Sequence, residues 1–392
     1  MDKPNPAVSL RVALFVFALA LVPRLVLVWQ TTCTLGADEI AALHWDSREY
    51  IHLAENLGAG RGYVLGERPA DESQRISHFF GLLRTPGYPV FCAPFYALGW
   101  APAGILWAQA VIGSLIPVLV LVLASGILGR RLPAVLAGVL AAISPTGLGL
   151  SAIVLVDLLF AASFVAGFTC LYFGISRNSR LQVGAAGLLF AAGVLIKPSL
   201  LYWPAVLVVL LPLLARAGGR GTPWRQWALA ALPILIAVGA WSARNRVVEG
   251  YWMFSSITGQ NLRHFLALQT EVSVRWPGNS LEHLESRQHE VRTEDWIDMA
   301  EGRLSAAEVA KRQEAQSMAI IREHRWLAVQ GWASNAIDNA SSGWAYFYDQ
   351  APAEKWRINR GNDPAITRRY EQLSPASRTI SEVLLEWQAI YH

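Results

Sequence analysis

The sequence predicts an all-α membrane protein with about seven spanning helices, and three observations predict it. Of 392 residues, 53% are hydrophobic and only 16% charged, whereas a soluble domain usually carries about a quarter charged residues. Apolar stretches approaching the ~20 residues that a bilayer span needs recur from Leu10 to Trp241. Charges are also segregated: they are sparse between Ala101 and Ala243 and dense from Glu249 to His392. The chain therefore divides into a membrane module over 1–247, with a first outside loop at 31–100, and a mostly helical outside segment over 248–392. The net charge of +4 is modest and gives no reason to expect nucleic acid.

The first span is Leu10 to Gln30. Arg24 near its end is expected to snorkel to the interface. The stretch is too long for a signal peptide and lacks a convincing cleavage site. The second span runs from about Ala101 to Leu128. Leu132 to Ile143 and Ile153 to Ile175 flank a Ser144-Pro145-Thr146-Gly147 break. Leu181 to Ile196 and Leu200 to Ala215 flank Lys197-Pro198-Ser199, and Trp227 to Trp241 is the seventh.

Orientation follows from the short loops. Arg130, Arg131, Arg177, Arg180, Arg216, Arg220 and Arg225 fall on the side of Lys3 and Arg11, while the short turns opposite hold only Lys197. The positive-inside rule then puts the N-terminus inside, and Thr31–Trp100 and everything after about Ala243 outside. Arg-, Ala- and Gly-heavy usage suits a GC-rich bacterium, so the expected location is the inner membrane with the loop and C-terminal segment periplasmic.

In the outside segment, Ser305-Ala-Ala-Glu308 reads as a capping box opening a helix to about Arg322. Trp326, Trp332 and Trp344 suit either a membrane interface or a small core. Cys33, Cys92 and Cys170 make neither a metal spacing nor a disulfide framework. Cys33 and Cys92 share a side and could pair.

The first loop carries the chemistry. Tyr50, Leu53, Ala54 and Leu57 recur at helical spacing, which predicts an amphipathic helix on the membrane surface. Asp46 sits at its start, where a carboxylate suits a helix N-terminus and could serve merely as a cap. His44, His52 and His78 lack zinc-motif spacing and read as polar surface residues.

Asp46-x-x-x-Tyr50, the Leu53-Ala-Glu-Asn-Leu57 run, Gly60-x-Gly62-Tyr63 and Arg84-Thr-Pro-Gly-Tyr-Pro89 together resemble the first loop of the C-type glycosyltransferases (GT-C). The nearest branch is glycosyltransferase family 39, the protein mannosyltransferases and lipid A aminoarabinose transferases. Trp241-Ser-Ala-Arg244-Asn245, then Gly250, Ser255-Ser256, Gly259 and Asn261-Leu262, resemble the segment that follows a span there. Pro145 followed by Asp157 is a weaker match. The resemblance covers roughly residues 10 to 265 and implies a GT-C-like bundle using a polyprenyl-phosphate sugar donor. Family members commonly carry further spans after the Arg-Asn segment, so the chain is expected to be a short variant, a truncated product or a fragment.

The resemblance implies roles for particular residues. A sugar on a lipid phosphate already has its leaving group, so the enzyme must hold the phosphate and take a proton from the acceptor hydroxyl. Asp46 is the candidate general base, with inversion at the anomeric carbon, and Asp157 is a second catalytic candidate. Tyr50, Arg84, Lys197 and Arg244 are candidates for the donor phosphate. The plain alternatives are lipid head-group contact for the arginines, snorkelling for Lys197 and a membrane-edge hydrogen bond for Asp157, although an ionisable residue inside a span is costly. A divalent ion is undecided; Asp38, Glu39, Asp46 and Asp157 could supply oxygen ligands. Acceptors are a lipid, a glycan or a protein. The competing readings are an inactive lipid-binding or assembly partner of the same fold and a transporter of lipid-linked sugars.

Overall fold

The structure is a computed structural model that describes residues 8–64, 83–217, 224–276 and 303–333, with single positions between 283 and 298. Among these residues there are helices and no strand, as the composition predicts. They fall into two compact units. The first holds 8–59 and 86–238, and the second holds 60–64, 83–85 and the described residues from 239 to 333.

All seven expected spans are helices: α1 (Leu10–Thr34), α5 (Ala103–Leu128), α6 (Arg131–Ala142), α8 (Val156–Ser176), α9 (Arg180–Ile196), α10 (Trp203–Ala217) and α11 (Trp224–Glu249). Between α1 and α5 lie α2 (Ala37–Ala42), α3 (Trp45–Gly58) and α4 (Gly87–Ala97), and α7 (Pro145–Gly149) follows α6. By length and composition α1, α5, α8 and α11 can cross a membrane. The α6 helix together with Pro145–Ala152 makes a fifth candidate bent by 49°, and α9 and Pro198–Leu210 are shorter. Phe15, Leu140, Leu188 and Val209 are exposed, as helices facing lipid require. The interhelical faces instead use small residues, which let backbones approach. A Cβ on Gly167 of α8 would sit 2.8 Å from the Phe190 ring of α9, and one on Gly126 of α5 would sit 2.8 Å from the Phe173 ring.

Arg24 departs from expectation. Instead of snorkelling it is 1% exposed, and its Nη1 donates to the carbonyls of Ala20 at 2.7 Å and Ala142 at 3.2 Å. The reason lies in the break after α6. A helix ending at Ala142 leaves carbonyls that need a donor, and Arg24 supplies one. Gly113 and Gly147 give the guanidinium its room, since a Cβ on Gly147 would lie 3.0 Å from Arg24 Nη2. The second break is also as expected: α9 stops at Ile196, and Pro198–Tyr202 continues as a 3-10 turn.

In the second unit, α12 (Ile257–Asn261) runs through a π-helical stretch, Leu262–Ala267, into α13 (Leu268–Arg275). Leu268, Val272 and Val291 form a small core with Trp276 and Leu284. The expected capping box is present: Ser305 caps α14 (Ala306–Glu323), and Glu308 returns to the Ser305 N–H at 2.7 Å. Trp326 and Trp332 are exposed, while Trp344 lies outside the described residues. Cys33 is exposed, Cys92 is buried and neither is bridged, so the suggested pairing does not occur.

The acids of this unit should make its stability depend on pH. Hydrogen bonds from the Ser305 backbone and hydroxyl lower the pKa of Glu308. The Arg312 hydrogen bond, helped by Arg303, lowers that of Asp298 against a smaller opposing effect of burial. A carboxylate with a depressed folded pKa gives stability that is present above its unfolded value, about 4, and is lost as pH falls through the folded value. Thermal unfolding of this unit should therefore shift down on acidification below about pH 4. Glu308→Gln should flatten that slope, and an unchanged slope would remove the capping box from the account.

Candidate active site

The α3 helix begins at His44, whose Nδ1 accepts from the Asp46 N–H at 3.1 Å. Capping thus falls to His44, and Asp46 occupies the first turn, half-buried. His52 is exposed, whereas His78 lies outside the described residues. The helix is amphipathic as expected, but its apolar face does not lie open for lipid. Tyr50, Ile51, Leu53 and Ala54 are buried, and α3 packs on α4. A Cβ on Gly58 would lie 2.7 Å from the Ala93 carbonyl. The α4 helix lies in the first loop, where helices are expected but none is located at 87–97, and it supplies the apolar partner that lipid was expected to be.

The Arg84-Thr-Pro-Gly-Tyr-Pro89 motif acquires a physical reading. Pro86 is the N-cap of α4, and Gly87 lies against the end of α9, where a Cβ would come 2.7 Å from the backbone of Leu195 and Ile196. Neither neighbour is a flexible tip that could yield. Gly87→Ala should cost about 1–3 kcal/mol by overpacking and lower the thermal midpoint in detergent. An unchanged midpoint would mean that α4 and α9 can separate freely.

Tyr88 is fully buried, donates to the Gln109 side-chain oxygen, and meets the Tyr50 ring edge-on at 5.1 Å. Burial first, then the neighbouring Cys92 thiol, raises the Tyr88 pKa, so its hydroxyl keeps its proton and stays a donor. Tyr50, a candidate for the donor phosphate, is thereby placed in the core of the first unit.

Asp157 and Lys197 are brought together. Asp157 lies in the first turn of α8, where the helix N-terminus favours a carboxylate. Lys197 ends α9, and its Nζ reaches Asp157 Oδ1 at 2.6 Å and sits 5.9 Å from the Phe160 ring centre. The side chains are 39% and 21% exposed, so the pair is neither deeply buried nor a free surface contact. An ammonium carries three donors, so a bond to one carboxylate oxygen leaves it capacity for a phosphate.

The second unit gathers Arg84 and Arg244. The Arg244 guanidinium donates to Asn245 Oδ1 at 3.0 Å and to the Tyr63 carbonyl at 3.4 Å. It also lies over the Tyr63 and Trp241 rings, 5.5 and 5.0 Å from their centres. Tyr63 donates from its hydroxyl to the Arg84 carbonyl at 2.9 Å, and Ser255 donates to the Leu83 carbonyl at 2.7 Å. Asn245 is fully buried and donates to the carbonyls of Met253 and Phe254. Two basic residues far apart in the chain thus share one hydrogen-bonded knot. Tyr63, Asn245 and Ser255 were visible only as motif letters. An aromatic or amide beside a recurrent Gly-Tyr or Arg-Asn pair is the one signal that could have singled them out.

Among the described residues no group of three or more His, Cys, Asp or Glu side chains is arranged to hold a metal ion. Of the four candidate oxygen donors, Glu39 accepts from the Gly36 N–H and Asp157 is engaged by Lys197.

Residues 93–248 match the family model described as dolichyl-phosphate-mannose-protein mannosyltransferase. The match bears out the resemblance to C-type glycosyltransferases, and it supports a membrane glycosyltransferase that works in general with a polyprenyl-phosphate sugar donor. It contains Asp157, Lys197 and Arg244, while Asp46, Tyr50 and Arg84 precede it. No curated protein and no solved structure matches the chain.

Proposed function

With a C-type glycosyltransferase as the premise, we propose that this chain transfers a sugar from a polyprenyl phosphate to an acceptor hydroxyl on a lipid, glycan or protein. The reaction takes place at the periplasmic face of a bacterial inner membrane. The observation that carries this reading is the Asp157–Lys197 pair. A cation and a carboxylate at the ends of two apolar helices are costly residues, and a charged donor head group gives them a purpose.

The acceptor oxygen attacks the anomeric carbon, the bond from that carbon to the phosphate oxygen breaks, and the configuration inverts. Asp46 takes the hydroxyl proton as the new bond forms. Lys197 meets the charge that develops on the departing polyprenyl phosphate, and Arg84 and Arg244 of the second unit are the further candidates for donor binding. Asp157 holds the Lys197 ammonium in place, and Tyr50 anchors the helix that carries Asp46.

The test supplies purified full-length protein with a labelled polyprenyl-phosphate sugar and a membrane extract. Label should pass to an acceptor as polyprenyl phosphate is released. Failure to consume any such donor, in a preparation that binds it, would reject the transferase reading. Arg244→Ala should weaken donor binding by roughly tenfold to a hundredfold, the range expected for a lost charge-assisted contact of about 1.5–3 kcal/mol. Arg84→Ala should act in the same direction, and unchanged donor affinity in either variant would remove that arginine from the phosphate site.

A further inference from the structure

The break in the third span creates a demand that one buried side chain meets. After α6 stops at Ala142, the chain bends by 49° into α7 and the turn Leu150–Ala152. The backbone is then extended at Ile153 and Leu155 before α8 begins. The carbonyls of Leu150 and Ile153 therefore lie where no regular helix supplies their partners. Leu150 and Ile153 are buried, and buried non-helical backbone persists only where the protein satisfies it.

Gln109 does so. It sits on α5, is 1% exposed, and donates from Nε2 to the Ile153 carbonyl at 2.7 Å and to the Leu150 carbonyl at 3.3 Å. Its Oε1 accepts from the Tyr88 hydroxyl, so both ends of the amide are committed and only one orientation satisfies them. An apolar span has no other use for an amide here. On one side the turn leads directly into α8, whose first turn holds Asp157. On the other, Tyr88 meets Tyr50 of α3, the helix whose first turn holds Asp46. Tyr50, Tyr88, Leu150, Ile153 and Leu155 also belong to one buried cluster.

We infer that Gln109 is a positioning residue: it fixes the turn that delivers Asp157 and, through Tyr88 and Tyr50, ties that turn to the helix carrying Asp46. The inference rests on the proposed function only in treating the two acids as partners in one reaction.

The test reads geometry and turnover separately in the full chain. Cysteines replace Asp157 and Lys197 in a Cys33→Ser, Cys170→Ala background, and a short bifunctional thiol reagent reports their approach with Gln109 or with Gln109→Leu. Turnover is measured for Gln109→Leu and Tyr88→Phe with the native acids in place. Cross-linking should slow several-fold on Gln109→Leu, and kcat should fall by roughly tenfold to a hundredfold with donor KM little changed, as expected for misplacement near 1 Å. Folded Gln109→Leu protein with wild-type cross-linking and kcat would overturn the inference. Should that variant not fold, Tyr88→Phe removes the hydroxyl that joins Gln109 to α4, and an unchanged kcat in that variant would overturn the inference. Slower cross-linking in a chain whose wild type transfers no sugar would uphold the positioning of the turn and reject the transferase reading instead.

Discussion

Asp46→Asn should lower the rate of sugar transfer by about a hundredfold to ten-thousandfold, the range typical of a lost general base, and leave donor affinity nearly unchanged. The substitution keeps the shape of the side chain and its place in the first turn of α3. What it removes is the ability to take a proton from the acceptor. Single-turnover transfer and equilibrium donor binding, measured on the same preparation, separate the two effects. Equal transfer by both proteins would show that the base lies elsewhere.

A control distinguishes chemistry from helix stability. His44 makes the capping contact to the Asp46 N–H, so His44→Ala should cost about 1 kcal/mol of helix stability, as other lost caps do, with the proton acceptor still in place. If His44→Ala and Asp46→Asn depress transfer equally, Asp46 acts by holding the helix and not as a base.

The contrast between these two residues shows what the sequence could and could not convey. Hydropathy located each of the seven expected spans, because burying apolar surface in lipid depends on local composition alone. The two breaks at Ser144-Pro145 and Lys197-Pro198 were equally legible, since proline removes a backbone donor whatever surrounds it. The capping box at Ser305 is likewise a local signal.

Partnership across the chain was not legible. The apolar stripe of α3 fits a lipid surface and a protein groove equally well, and only the presence of α4 decides between them. Arg24 reads as an interfacial charge until the end of α6 brings the Ala142 carbonyl beside it. Asp157 reads as a costly charge inside a span and Lys197 as a basic residue in an outside turn, but nothing in their spacing says that they meet. Gln109 is one polar letter inside an apolar run, and its meaning comes from two carbonyls more than 40 positions away.

That pairing of Asp157 with Lys197 gives the second large prediction. In a purely structural ion pair, removing one partner strands the other, and removing both restores an uncharged contact. Because the pair is partly exposed, with Lys197 at 39%, stranding should cost only about 1 kcal/mol after solvent screening. Asp157→Asn and Lys197→Met should therefore each lower the thermal midpoint slightly, and the double variant should recover it. Transfer should behave differently. If Lys197 meets the donor phosphate, Lys197→Met should lose roughly a hundredfold to a thousandfold in turnover, the size of effect seen when one donor to a developing anion is removed. The double variant should then regain stability and none of that activity. Recovery of both properties together would show that the pair only holds α8 to α9, and it would take Lys197 out of the phosphate site.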